Sequence, residues 1–214
     1  MNREEQFTNI YKKNDWGGIE SVSGRGSDII QTTTLSEKLI ELINPLNIDT
    51  IVDICGDFNW MKHTVNKLNI KQYIGIDIVK ELIDNLNFKY SDNKIKFVNC
   101  DIVTDPLPKG DLLLCRDCLV HLTYNSIFSF LNNFIKSDIK YLLTTTFIDR
   151  GNSNLKTDGD GWFPLCLFRT PFNFSNPILL INEQCTEGNN NWTDKSLGLW
   201  SREQIKEIIN DSTI

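Results

Sequence analysis

Apolar and polar positions along the chain follow two alternating rhythms. The run Thr50-Ile51-Val52-Asp53-Ile54 is rich in β-branched residues and predicts a short buried strand. It is broken by Cys55-Gly56-Asp57-Phe58-Asn59 before apolar residues return at helical spacing over 60–68. Residues 72–77 predict a second strand, 80–88 a helix and 95–98 a third strand. Residues 111–115 and 141–146 repeat the strand pattern, separated by a helix over 124–135 with Ile127, Leu131 and Phe134 on its apolar face. Upstream, Thr34-Leu35-Ser36-Glu37 has the form of a capping box and opens a helix carrying Leu35, Leu39 and Leu42. Strand and helix taking turns in this way predict an α/β domain with a mostly parallel sheet. The alternation stops after Phe147: 148–176 is loop-rich, 177–181 and 195–200 predict an antiparallel pair of strands, and Ser201-Arg202-Glu203-Gln204 opens a last helix.

The first 34 residues fit neither rhythm. Phe7, Ile10, Tyr11 and Trp16 stand at loose helical spacing, followed by Gly17-Gly18 and Gly24-Arg25-Gly26. Too polar for a core strand and too aromatic for a free tail, this segment is expected to fold as a flap over the sheet edge or over a ligand. One domain with three parts results: the flap (1–34), a core (35–147), and a loop, strand pair and helix (148–214).

Composition narrows the function. A length of 214 residues at 40% hydrophobic content fits a single core, and a net charge of -6 without basic runs disfavours a nucleic-acid partner. No apolar segment has membrane-spanning length and none looks like a leader, so a cytoplasmic protein without a membrane partner is expected. The six cysteines are irregularly spaced and mostly lie in or beside apolar runs, which predicts reduced thiols. Cys115-Arg116-Asp117-Cys118 lacks two further ligands, so no metal is expected. The oligomeric state leaves no mark in the pattern.

Candidate chemistry concentrates at the turn after the first strand. A turn feeding a helix start leaves backbone N–H groups unpaired, and Gly56 would let a ligand approach the main chain. Dinucleotide binding needs glycines at a spacing this turn lacks, which disfavours NAD and FAD. Asp53 and Asp57 would repel phosphates and suit a ligand carrying an ammonium and a sulfonium, the charge pattern of S-adenosylmethionine. Asp77 ends the second strand roughly 20 residues past Gly56, where a carboxylate can take both hydrogens of a ribose diol or simply cap the next helix. Asp101, after the third strand, is placed to receive an adenine amino group with Ile102 against the base, or to close a turn.

These residues resemble the class I S-adenosylmethionine-dependent methyltransferases. The segments 55–61, Tyr73-Ile74-Gly75-Ile76-Asp77-Ile78, 111–122 and Asp194-Lys195-Ser196-Leu197-Gly198-Leu199-Trp200 look like a small-molecule or glycan branch of that family, and the resemblance covers nearly the whole chain. It implies a Rossmann-like sheet of seven strands, mostly parallel with one antiparallel strand, and S-adenosylmethionine lying across the strand ends. By motif matching, Asp53 to Phe58, with Cys55, Gly56 and Asp57 among them, would surround the methionyl part. Asp77 would hold the ribose, Asp101 and Ile102 the adenine, and Cys115 and Arg116 the sulfonium side, with Trp60 and Ile78 also among the cofactor-binding residues.

The flap and the 148–176 loop would build the acceptor pocket, where Trp16, Arg25, Arg150 and Trp162 offer stacking surfaces and donors suited to a sugar or other small polar molecule. After the fourth strand, Asp117 and His121 are the ionisable groups best placed to take a proton from an acceptor hydroxyl, although such a histidine also serves simply to pack on a sheet. Expected, therefore, is O-methylation of a small polar acceptor. The alternative is a binding or scaffold protein on the same fold, with a cofactor loop one residue shorter than the family pattern.

Overall fold

The computed structural model describes residues 2–54 and 56–211. Seven strands form one sheet: β1 (Thr50–Ile54), β2 (Gln72–Asp77), β3 (Ile95–Asn99), β4 (Leu112–Cys115), β5 (Tyr141–Thr146), β6 (Leu179–Asn182) and β7 (Ser196–Ser201). Their order is β3-β2-β1-β4-β5-β7-β6. The first five pair in parallel, and β7 runs antiparallel to both β5 and β6, so β7 is the one reversed strand. This is the sheet expected, with strand bounds within two residues of the pattern.

Side-chain alternation along the central strands divides the core in two. Ile51, Leu112 and Leu114 face one layer, Val52 and Leu113 the other. The first layer is covered by α2 (Ile29–Ile43) and α3 (Lys80–Tyr90), the second by α4 (Tyr124–Lys136) and α6 (Arg202–Asp211). Two further helices, α1 (Arg3–Lys13) and the single turn α5 (Glu187–Asn190), lie outside this sandwich. The capping box expected for the last helix is present: Gln204 N–H donates to Ser201 Oγ at 3.2 Å and Ser201 N–H to Gln204 Oε1 at 3.0 Å. Among the described residues, no helix is long and apolar enough to cross a membrane.

Two expectations are corrected. The helix expected over 60–68 is a pair of 3-10 turns, Met61–His63 and Val65–Lys67. Thr64 and Val65 are β-branched and poor helix formers, and three residues per turn still carries Met61, Val65 and Leu68 into the core. Helix α2 starts at Ile29 rather than at the Thr34 box. Its hydroxyls bond back along the helix instead of capping it, Thr33 Oγ1 to the Ile29 carbonyl at 2.8 Å and Ser36 Oγ to that of Thr32 at 2.9 Å.

Candidate functional site

Parallel strands leave their carboxyl ends on one side of a sheet, and there the ends of β1, β2, β3 and β4 open onto a cavity of about 1070 Å³, mouth included. Its roof comes from the N-terminal segment. Asn2 and Glu5 form a reciprocal capping box that starts α1, whose Arg3, Phe7 and Tyr11 face the cavity. Arg3 bolts this helix down, donating from Nη1 to Asp101 at 2.6 Å, from Nε to Asp158 at 2.7 Å and from Nη2 to Ser126 Oγ at 3.1 Å. Further along, Asp57 accepts from Ser21 Oγ and from the Val22 N–H, both at 3.0 Å. Asn59 and Arg116 donate to the carbonyls of Ser27 and Gly26, at 3.0 and 2.9 Å. Gly56 has φ +49, and a Cβ there would stand 2.3 Å from Ser23 Oγ, so the turn accepts only glycine beneath this cap.

Three carboxylates line the cavity along β1, β2 and β3. Asp53 on β1 is 3% exposed and accepts from the Tyr73 hydroxyl at 2.6 Å; burial nonetheless pushes its pKa up to about 7, against the pull of Tyr73 and Arg116. Asp77, at the end of β2, accepts the Val79 N–H at 2.8 Å, and burial raises it to about 6. The neighbouring Asp57 carboxylate adds to the rise, while backbone hydrogen bonds from Val79 and Ile78 oppose it. Asp101 is already engaged: Oδ1 accepts the Val103 N–H at 3.0 Å and Oδ2 is held by Arg3. Ile78 and Ile102 supply apolar wall, so acidic edges and flat apolar faces suit the nucleoside and amino-acid ends of S-adenosylmethionine.

Beyond β4 the wall changes character. Arg116, 8% exposed, donates through Nε and Nη2 to Glu183 Oε2 at 3.0 and 2.6 Å and meets Asp117 at 3.2 Å. Asp117 adopts a left-handed backbone, φ +52, with its N–H held by Thr145 Oγ1 at 2.8 Å, and its carboxylate bonds Lys195 Nζ. Burial would push that carboxyl up, but Lys195 and Arg116 outweigh it and hold it down at about 2. His121 lies under Trp16, ring centroids 4.6 Å apart and planes 24° from parallel. Its Nδ1 is 2.9 Å from the Gly161 carbonyl, which can only accept, so Nδ1 carries the proton and Nε2 keeps its lone pair. Burial lowers the His121 pKa below its usual value, against the upward pull of Gly161 and Asp117.

No family model matches the chain, and no curated protein matches it by sequence. Solved structures do match. N-methyltransferase NodS from Bradyrhizobium japonicum WM9, in complex with S-adenosyl-l-homocysteine, superposes with TM-score 0.62 at 13% identity over 90% of this chain and 98% of that one. The didemethyltoxoflavin N1-methyltransferase of Burkholderia thailandensis, with bound 1,6-didemethyltoxoflavin and S-adenosylhomocysteine, gives 0.62 at 12% identity over 94% and 91%. Human N-acetylserotonin methyltransferase in complex with SAM gives 0.63 at 15% identity, where the match covers 94% of this chain and 60% of that enzyme. The chain has the class I methyltransferase fold.

Within the methyltransferase fold, Asp53, Gly56, Trp60, Asp77, Ile78, Asp101 and Ile102 line the cavity, as do Arg116, Asp117, His121 and Trp16. Other expected residues lie elsewhere. Asp57 is tied to the cap, and Phe58, 1% exposed, turns into the core against Tyr73 and Phe97 at 5.2 and 5.1 Å. Cys115 is fully buried because its position on β4 points to the core layer that Leu113 occupies. Arg25 is exposed in the short turn Arg25–Ser27. Arg150 grips Asp194 and covers Trp192 at 5.2 Å, and Trp162, 46% exposed, packs edge-on against Trp192 at 4.9 Å; neither lines the cavity. Cys55 lies outside the described residues.

Sequence reasoning missed Arg3, Phe7 and Tyr11 as roof, and Glu183 and Lys195 as the support behind Arg116 and Asp117. The signal for Lys195 was a charge at the head of a strand buried along its length.

Proposed function

We propose that the chain is an S-adenosylmethionine-dependent methyltransferase acting on a small polar acceptor, with transfer to a hydroxyl of a sugar-like molecule as the favoured case. The observation that carries this reading is His121, which lines the same cavity as Asp77 and Asp101 with its Nδ1 turned to the Gly161 carbonyl, while burial lowers its pKa and so favours the neutral ring. When bound, S-adenosylmethionine supplies a methyl carbon whose bond electrons leave to a cationic sulfur. Asp77 would hold the ribose, Ile78 and Ile102 would flank the adenine, and Asp53 would face the amino group. His121 Nε2 takes the acceptor's proton as its oxygen gains the methyl, while Trp16 fixes the ring and the Gly161 carbonyl fixes the tautomer. The roof of α1 and residues 16–27 excludes water.

Calorimetric titration with S-adenosylhomocysteine and with NAD tests the reading. Binding of the first and not the second is expected. Binding of neither favours a scaffold on the same fold, and binding of NAD overturns the reading.

A further inference from the structure

At the end of β4 stands a largely buried ionic cluster, of which Arg116 and Asp117 reach the cavity wall while Lys195, Glu183 and Glu187 stand behind them. Lys195 Nζ bonds Asp117 Oδ2 and lies 3.7 Å from Glu183 and 3.9 Å from Glu187, with its side chain 5% exposed. Arg116 completes the group, so two cations meet three carboxylates and one negative charge is in excess. Glu183 Oε1 is buried without a partner. A network of this kind is seldom more stabilising than an apolar core of the same volume, so stability alone does not account for it.

What the cluster does is hold one side chain. Asp117 is its only member besides Arg116 that reaches the cavity wall, with its side chain 27% exposed. Its left-handed backbone and the Thr145 bond aim it from the end of β4 at the cavity wall that His121 also lines. Among the described residues, the arginines and lysines lining the cavity are Arg3 and Arg116, and both are committed to carboxylates. The acceptor end therefore offers lone pairs, from Asp117 and from His121 Nε2, and no free cation for an anion.

We propose that Lys195 is a positioning residue for acceptor recognition: by pinning Asp117 beside His121 it makes the site select acceptors with two neighbouring hydrogen-bond donors, such as a vicinal diol or a hydroxyl next to an ammonium group, and reject anionic ones. This rests on the methyltransferase reading. One donor gives its proton to His121, and the other is oriented by the Asp117 carboxylate.

The test uses the full chain, methyl-labelled S-adenosylmethionine, and a probe panel of methyl glycosides with vicinal diols, amino alcohols, and the corresponding sugar acids and sugar phosphates. Label transfer to diol or amino-alcohol probes and not to the anionic ones is expected. Lys195→Met should raise the acceptor KM about tenfold or more, the scale of one lost charge-assisted hydrogen bond, with S-adenosylhomocysteine affinity in calorimetry unchanged. Lys195→Arg should restore KM. Lys195→Met should also add a second acidic limb to the pH profile of kcat/KM, because Asp117 loses the neighbour that holds its carboxyl down. If Lys195→Met does not fold, Asp117→Asn should reproduce the KM effect with lysine in place. A wild-type KM in either variant, a parallel loss of cofactor affinity, or preferred turnover of anionic probes overturns the proposal. Binding of S-adenosylhomocysteine without turnover of any diol or amino-alcohol probe overturns it while sparing the methyltransferase reading. Absence of S-adenosylhomocysteine binding by the wild type sinks both.

Discussion

Asp77→Asn separates two roles that one carboxylate performs. Oδ1 accepts the Val79 N–H at 2.8 Å and shapes the turn into α3; an amide oxygen can do the same, so the substitution removes mainly the charge. Hydrogen bonds from two ribose hydroxyls to a carboxylate are charge-assisted, and reducing them to neutral ones should weaken S-adenosylhomocysteine binding by about 1–3 kcal/mol, or about 5- to 150-fold in Kd. The unliganded protein should respond in the opposite direction. With its folded pKa raised to about 6, Asp77 contributes stability at low pH that is lost as pH rises through that value. At pH 8 the variant should therefore melt no lower than wild type, while the rise in melting temperature produced by S-adenosylhomocysteine shrinks. Wild-type affinity should also fall as pH drops below about 6, because the ionised carboxylate is the better acceptor. Asp53, raised to about 7, titrates in both proteins, so the difference between their pH profiles isolates Asp77. Calorimetry from pH 5 to 8 reads all of this. Equal affinity of the two proteins at pH 8, or identical pH profiles, would refute the assignment.

His121→Ala should lower single-turnover methyl transfer about a hundredfold with cofactor affinity intact. In the wild type, the rate should fall on the acid side of neutrality, below the usual imidazole range, as Nε2 gains its proton; a flat profile counts against the base role. Arg3→Met cuts three bonds of the roof and should speed S-adenosylhomocysteine release in stopped-flow by about tenfold, since a partly buried charged pair is worth about 1–3 kcal/mol. An unchanged release rate removes α1 from the gate. Phe58→Ala should cost about 3–5 kcal/mol in denaturant unfolding and leave affinity in the folded protein unaltered, which a cofactor-contacting residue could not do.

The sheet was legible because its central strands are dominated by apolar and β-branched residues; the two short runs after the alternation ended gave an antiparallel pair, and the single reversed strand among seven was what the family resemblance implied. Asp77, Asp101 and His121 could be located because strand ends in a parallel sheet share one side, so a polar residue just after an apolar run lands at the site. Residues whose direction depends on a turn were not legible: Phe58, at φ +63, packs into the core and not into the cavity lining. The Arg3 bridge spans 98 and 155 positions in sequence, and no local pattern encodes such a pairing. Hydroxyl-rich stretches misled in one direction, since Thr33 and Ser36 satisfy themselves on their own helix and imitate a cap.

The roof also sets the order in which the molecule matures. Its fastenings join residue 3 to residues 101 and 158 and residue 26 to residue 116, wide separations along the chain. Closing such loops is entropically costly and earns nothing until the distant partner is in place, so these contacts form after the local helix–strand units have condensed. On a ribosome, the N-terminal segment emerges first and waits for partners that follow much later, Asp101, Arg116 and Asp158. A folded sheet therefore precedes a competent chamber. Refolding followed by far-ultraviolet dichroism should run ahead of refolding followed by ligand capture, and the interval between the two signals is the docking time of the first thirty or so residues.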